Sequence, residues 1–167
     1  MARYSLTYTS VTPTAFADTT NLTSSNYAFL LQGGNTTMQI KISEIFAGGE
    51  AASSSSPSIM VLARDSTVGA TVTAGATRNA LLDATATAPG TTAVTGNSAT
   101  TNPQRSSTLH LLHLSFNAFG GLVRWFARPG EEINGIGNAV NAGEVSFSAY
   151  TGGTPGAMSG HALYELV

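Results

Sequence analysis

Glycine, proline and asparagine divide this sequence into short apolar segments, and that division limits what the chain can fold into. In several segments every second residue is apolar: Tyr4, Leu6 and Tyr8 alternate with polar residues, and residues 38–43 and 144–150 show the same pattern. A period of two is typical of a half-buried β-strand, because successive side chains of a strand point to opposite faces. We find no convincing amphipathic-helix pattern. The sequence therefore predicts an all-β fold.

The number of strand-like segments favours a sandwich. About eight segments are separated by turn residues, which is typical of a β-sandwich or barrel. They are residues 3–9, 27–32, 36–43, 58–64, 108–116, 122–127, 144–150 and 161–167. Glycine pairs predict two hairpins, one joining the second and third segments and one with its turn at residues 117–121. We predict one β-sandwich domain over residues 1–167, and the strand number favours Greek-key or jelly-roll wiring.

Two regions are expected to lie outside the regular sandwich. Residues 66–107 are rich in Thr, Ala, Gly, Asn and Pro and contain few large apolar side chains. Such a stretch is longer than ordinary loops, so we predict a long irregular Thr/Ala-rich insertion with one short strand at residues 70–73. It could pack against a neighbouring subunit. Residues 1–10 are expected to form an N-terminal arm.

The low charge content favours association with other proteins. Charged residues make up only 10% of the chain and the net charge is −2, whereas soluble domains average about 25% charged residues. A surface with few charges repels its neighbours weakly and costs little to dehydrate. The net charge offers no electrostatic footprint for nucleic acid. The open alternative is a low-charge β domain that stays monomeric.

Other features exclude several classes of site. The chain has no cysteine, which rules out disulfides, zinc–thiolate sites and a cysteine nucleophile. No apolar run reaches the 18 or so residues of a membrane span, and the first residues lack the apolar region of a signal peptide. We therefore expect a protein that is made and kept in a cytoplasm, or released from it by lysis.

No catalytic, cofactor or metal site is predicted. His110 and His113 are three positions apart, so on a regular strand they would point to opposite faces and could not chelate one metal. His161 could approach either of them, but a two-histidine site lacks a third ligand. The acids Glu131 and Glu132 follow a turn and are expected to be solvated, and no G-x-S-x-G nucleophile motif occurs. We therefore expect a protein that is not an enzyme.

The best candidates for an interface are aromatic and arginine side chains, which are enriched at interface centres. Trp125 alternates with Arg124, so one of them faces the core, and a core position for Trp125 is the favoured alternative. An extended N-terminal arm could add a strand to the sheet edge of a neighbour. The predicted interface residues are Tyr4, Leu6, Tyr8, Arg124, Trp125 and Arg128.

The second half of the chain resembles a family of viral proteins. The strings LSFNAFGGLVRW (residues 114–125), PGE (residues 129–131) and GEVSFSAYTGG (residues 143–153) carry the resemblance, and residues 46–64 share it more loosely. They are similar to small virion proteins of tailed bacteriophages, in particular to head decoration, or cement, proteins. No catalytic signature is part of this likeness.

The resemblance implies a β-sandwich that forms a homotrimer on the outer surface of a capsid and bridges adjacent capsomers. The implied partners are further copies of the chain and the major capsid protein, without direct contact to nucleic acid or membrane, and the implied location is the virion, assembled in the host cytoplasm. One alternative is a fibre- or tail-associated module that binds a carbohydrate or receptor, although only 8% of the residues are aromatic. A major shell subunit and an enzyme are the remaining alternatives.

Overall fold

The computed structural model describes residues 3–23, 26–32, 37, 39–53, 56–69, 77–82, 92–94, 102–136 and 143–167. All regular elements within these residues are β-strands. They are β1 (Arg3–Val11), β2 (Tyr27–Gln32), β3 (Gln39–Glu50), β4 (Pro57–Thr67), β5 (Thr77–Leu81), β6 (Thr92–Val94), β7 (Gln104–Asn117), β8 (Phe119–Phe126), β9 (Ile133–Ile136), β10 (Val145–Ala149) and β11 (Met158–Leu166). In the described part of the chain, no helix is long and apolar enough to cross a membrane.

The strands form two antiparallel sheets that pack face to face. The first sheet has the order β5-β1-β11-β3-β8, and β9 also pairs with β3; the second has the order β6-β2-β10-β4-β7. Strands of the first half of the chain pair with strands of the second half in reverse order: β1 with β11, β2 with β10, β3 with β8 and β4 with β7. The predicted fold class, an all-β sandwich, is confirmed.

Aromatic and aliphatic side chains fill the space between the sheets. Tyr8, Phe29 and Phe147 form the centre, with ring centroids 5.3 to 6.5 Å apart. Leu6 and Ile42 are fully buried in the same cluster. Each such side chain contributes about 1.5–3 kcal/mol on burial, so this layer is the main source of stability.

The second sheet is also covered on its outer face. The segment of residues 12–23 lies there, and Leu22 and Phe16 from it pack with Tyr27 and Leu30 in a second apolar cluster. Alternate residues of β10, which point away from the main core, are therefore buried although they are polar. This second cover shields the polar side chains on that face of the sheet from solvent.

Both predicted hairpins are wrong. β2 and β3 lie in different sheets, and so do β7 and β8. The turn after β7 instead carries the chain from one sheet to the other, and Gly121 passes so close to Asn117 that an added Cβ would lie 2.5 Å from the backbone of Asn117. Glycine pairs mark where the chain reverses, but the ladder partners of these strands are distant in sequence.

The prediction of an N-terminal arm is wrong for residues 3–10. These residues belong to β1, which pairs with β11 on one side and β5 on the other. Tyr4, Leu6 and Tyr8 are at most 4% exposed and lie in the core of the domain, so this fold does not offer them to a partner. The period-two alternation marked a strand with one buried face, and that face is buried within the chain itself.

The insertion is shorter and more regular than residues 66–107. β4 continues to Thr67 and β7 begins at Gln104. Between them, β5 pairs with β1 and β6 pairs with β2, so each adds an outer strand to one sheet. The strand predicted at residues 70–73 lies outside the described residues. β5, β6 and β9 are strands that the sequence did not indicate.

Candidate functional site

The edge strand β8 carries a row of exposed apolar side chains. It is the last strand of the first sheet and forms a ladder with β3 alone among the described strands. Phe119, Leu122 and Phe126 are 59%, 70% and 67% exposed. They are three of the six large apolar side chains that are exposed in the described residues, which are Leu82, Leu109, Phe119, Leu122, Phe126 and Val167.

A β-bulge brings these side chains into line. On β3, Gly48 and Glu50 are two positions apart and share a face, but their partners on β8, Leu122 and Phe119, are three positions apart. The extra residue lies at the glycine pair of β8, where Gly120 has a φ of 71°. Phe119 and Leu122 therefore lie on the same outer face of the sheet. We call Phe119, Leu122, Arg124 and Phe126 the β8 face.

Two charged side chains beside this row, Arg124 and Glu44, are paired with each other, whereas Glu50, opposite Phe119, is exposed and accepts a hydrogen bond from the hydroxyl of Ser10. Arg124 donates hydrogen bonds from Nε to Oε1 of Glu44 (2.9 Å) and from Nη2 to Oε2 of Glu44 (3.0 Å). Nε2 of His161 lies 3.1 Å from Oε1 of Glu44, and the His161 ring stacks on Phe46. The hydrogen bonds from Arg124 hold the pKa of Glu44 below its usual range, although burial acts in the opposite direction. A partner on this face would meet an internally neutralised ion pair.

The remaining predicted interface residues divide between surface and core. Arg124 and Arg128 are exposed. Trp125 is partly buried and packs against the main core together with Val123, which is the alternative that the sequence favoured. The predicted interface did not include Phe119, Leu122 and Phe126. Leu122 and Phe126 alternate with Val123 and Trp125, so a core position for Trp125 places both of them on the exposed face.

A second cluster surrounds a fully buried arginine under the covering segment. Arg105 is 0% exposed. Towards the covering segment, its Nε donates to Oδ1 of Asp18 at 2.6 Å and its Nη2 donates to the carbonyl of Phe16. Towards β10, its Nη1 donates to Oγ of Ser148 (2.8 Å) and to the carbonyl of Ala149 (3.0 Å). Burial raises the pKa of Asp18, but hydrogen bonds and charge from Arg105 outweigh this and hold it below its usual range. Arg105 thus fastens the segment of residues 12–23 to β10.

The two histidines of β7 meet in the same cluster, so the prediction that they point to opposite faces is wrong. Neighbouring residues of β4 pair with Leu112 and His110, which leaves Leu111 as an extra residue in a bulge. Nδ1 of His110 lies 3.0 Å from Nε2 of His113, and Nε2 of His110 lies 3.1 Å from Oδ1 of Asp18. No group of three or more His, Cys, Asp or Glu side chains within the described residues is placed to hold a metal ion.

A third cluster is a pair of buried carboxylic acids, Asp65 on β4 and Glu144 immediately before β10. Asp65 and Glu144 are both 0% exposed. Burial raises the pKa of both acids, and the charge of Asp65 and its side-chain hydrogen bond with Glu144 raise the pKa of Glu144 further. Ser146 donates a hydrogen bond of 2.6 Å to Oδ1 of Asp65, and the amide of Gly69 donates one of 3.1 Å to Oε1 of Glu144. The sequence did not indicate this pair, because its members are far apart along the chain.

Comparisons with known proteins add no family to this description. No family model, no curated protein and no solved structure matches the chain. The similarity to head decoration proteins therefore stays a hypothesis.

Proposed function

We propose that this chain is a non-enzymatic structural protein of a virus particle, a capsid decoration (cement) protein that stabilises the head. The observation that carries the proposal is the β8 face, with its three exposed apolar side chains in line on an edge strand. Contiguous exposed apolar residues mark interaction sites on soluble proteins, and an edge strand has backbone groups open to further pairing. Such a surface suits a protein whose role is to adhere.

The strand order supports a viral structural role. We infer that eight of the strands form a jelly roll. In a jelly roll, an antiparallel ribbon pairs the first four strands with the last four in reverse order and then rolls up into two sheets. Applied to β1–β4 and to β7, β8, β10 and β11, this gives the observed orders β1-β11-β3-β8 and β2-β10-β4-β7. Jelly rolls occur in viral capsid proteins and in lectin domains. This support is an analogy of fold, which does not by itself choose between those classes.

We assign the β8 face to contact between copies of the chain, as a homotrimer. Its ion pair between Arg124 and Glu44 is already satisfied, so these two residues offer no net charge for a partner to complement. Apolar burial contributes about 25 cal/mol per Å², and the low charge of the chain keeps the cost of dehydration small. The proposed trimer then binds the major capsid protein across capsomer boundaries, where added buried interface resists the outward load of a packed genome.

Electron microscopy of the native particle tests this function, because it shows location and copy number together. We expect trimeric density on the outer capsid surface at the boundaries between capsomers. Density confined to tail fibres would overturn the proposal in favour of a carbohydrate- or receptor-binding module. A continuous lattice built from this chain would overturn it in favour of a shell subunit, the second candidate that the strand order favours.

A further inference from the structure

Three buried oxygen atoms without a hydrogen-bond partner lie together at one end of the second sheet. They are Oε1 of Gln32, Oδ2 of Asp65 and Oε2 of Glu144, and they are the buried side-chain nitrogen or oxygen atoms of the described residues that lack a partner. Asp65 and Glu144 also interact through a side-chain hydrogen bond, in which one of the two acids carries the proton. Unpaired buried polar atoms are rare in folded proteins, so the amide oxygen of Gln32 beside two acids that share a proton indicates a place for a positively charged ligand.

Strand register places the three side chains in one row. Val145 pairs with Leu31 of β2 and with Arg64 of β4, so the preceding Glu144 lies between Gln32 and Asp65. The amide of Asp65 also donates a 3.1 Å hydrogen bond to the carbonyl of Glu144. Directly opposite side chains on neighbouring strands have Cβ atoms about 4.5–5.5 Å apart, so the carboxylates and the amide oxygen of Gln32 can converge.

The row lies on the face of the sheet that is turned away from the main core. On β4, Met60 and Leu62 belong to the core cluster, and Asp65 has the opposite parity. Gln32 is only 4% exposed, and both acids are fully buried. Oε1 of Gln32 is therefore an unpartnered oxygen that is shielded from solvent, on the residue directly opposite Glu144.

Among the described residues, Arg105 is the cation whose charge acts on Asp65, and its guanidinium does not hydrogen-bond to this row. Its guanidinium nitrogens bind Asp18, Ser148 and two backbone carbonyls. Within the described residues, the hydroxyl of Ser146 and the amide of Gly69 each donate to one oxygen, and the two acids share a further hydrogen bond. Two ionised carboxylates in this position would leave a net negative charge in the interior, which is costly unless a cation is present.

We propose that Gln32, Asp65 and Glu144 form a binding site for a hard divalent cation, with Ca²⁺ as the ion that fits best. The two carboxylates, the amide oxygen of Gln32 and the hydroxyl of Ser146 offer up to six oxygens, and Ca²⁺ takes six to eight oxygen ligands from such groups. No imidazole or thiolate belongs to this set, which disfavours zinc and copper. The ion would tie β2, β4 and β10 together at this end of the sheet.

Thermal unfolding of the full chain in EDTA and in CaCl₂ tests the site. When Ca²⁺ exceeds its Kd about a hundredfold, we expect the Tm of the wild-type protein to rise by roughly 5–10 °C. Glu144→Gln keeps the shape of the side chain but removes one charge, and its Tm should not respond to CaCl₂. Glu131→Gln makes the same chemical change at an exposed position and should respond like the wild-type protein.

Isothermal titration of the metal-free wild-type protein with CaCl₂ gives a second measure that does not depend on the folding of a variant. We expect one Ca²⁺ per chain. Absence of binding by titration and of any Tm shift would overturn the proposal and show that the acid pair holds only a shared proton. An equal Tm rise in Glu144→Gln would overturn it as well, because Ca²⁺ would then bind elsewhere.

Discussion

Replacing Asp18 by asparagine should destabilise the fold by about 3 kcal/mol, because it leaves the buried guanidinium of Arg105 without its carboxylate partner. Arg105 is 0% exposed and Asp18 is 16% exposed, and their atoms are 2.6 Å apart. Loss of one partner of a fully buried pair costs about 3–5 kcal/mol, and the residual exposure of Asp18 places this case at the lower end. The loss should also free the covering segment, whose Phe16 carbonyl is bound by the same guanidinium.

Urea unfolding at neutral pH, followed by the fluorescence of Trp125, measures the change. Glu165→Gln is the matched control, because it breaks an ion pair of similar length (2.8 Å) in which Arg3 is 71% exposed, and such surface pairs contribute less than about 1 kcal/mol. Adding Arg105→Met to Asp18→Asn should restore part of the lost stability, since no uncompensated charge remains buried. Equal losses in Asp18→Asn and Glu165→Gln would refute the role given to the buried arginine.

Three further outcomes are expected. Gly160→Ala should lower the free energy of unfolding by about 2 kcal/mol or more in urea titrations, because an added Cβ would overlap the carbonyl of Phe46 and the hydroxyl of Tyr8. Tyr8→Phe should cost about 1 kcal/mol in the same assay, since it removes the 3.0 Å hydrogen bond to that carbonyl. Because the pKa values of Asp18 and Glu44 are held low, the stability that they contribute is present above their unfolded pKa and is lost as pH falls through the folded value. Acid titration of the wild-type protein should therefore show a loss below about pH 4 that Glu44→Gln reduces.

Eight of the strands in the described residues were predictable from the sequence because their signal is local, whereas β5, β6 and β9 were not. Residues 27–32 form a strand with the expected bounds, and the alternation of Tyr4, Leu6 and Tyr8 correctly identified a strand with one buried face. The partners of the strands were not predictable, because each ladder joins segments that are distant along the chain. Thus the glycine pair near residue 120 indicated a reversal but not that the reversal passes between sheets.

The candidate sites were less predictable because they depend on bulges and burial. One extra residue in β7 places His110 and His113 side by side, and one in β8 aligns Phe119 with Leu122. A bulge shifts every later side chain to the other face, and nothing in the composition of β7 marks it. The buried acids form a pair only because the register of β10 with β4 brings them together.

Sedimentation velocity of the purified chain tests most directly whether the β8 face causes association. We expect the wild-type protein to sediment as a trimer at micromolar concentration. Leu122→Ser, which changes a side chain that is 70% exposed, should keep the wild-type Tm and sediment as a monomer. A wild-type protein that remains monomeric at tens of micromolar, or a Leu122→Ser variant that still forms the trimer, would contradict the account.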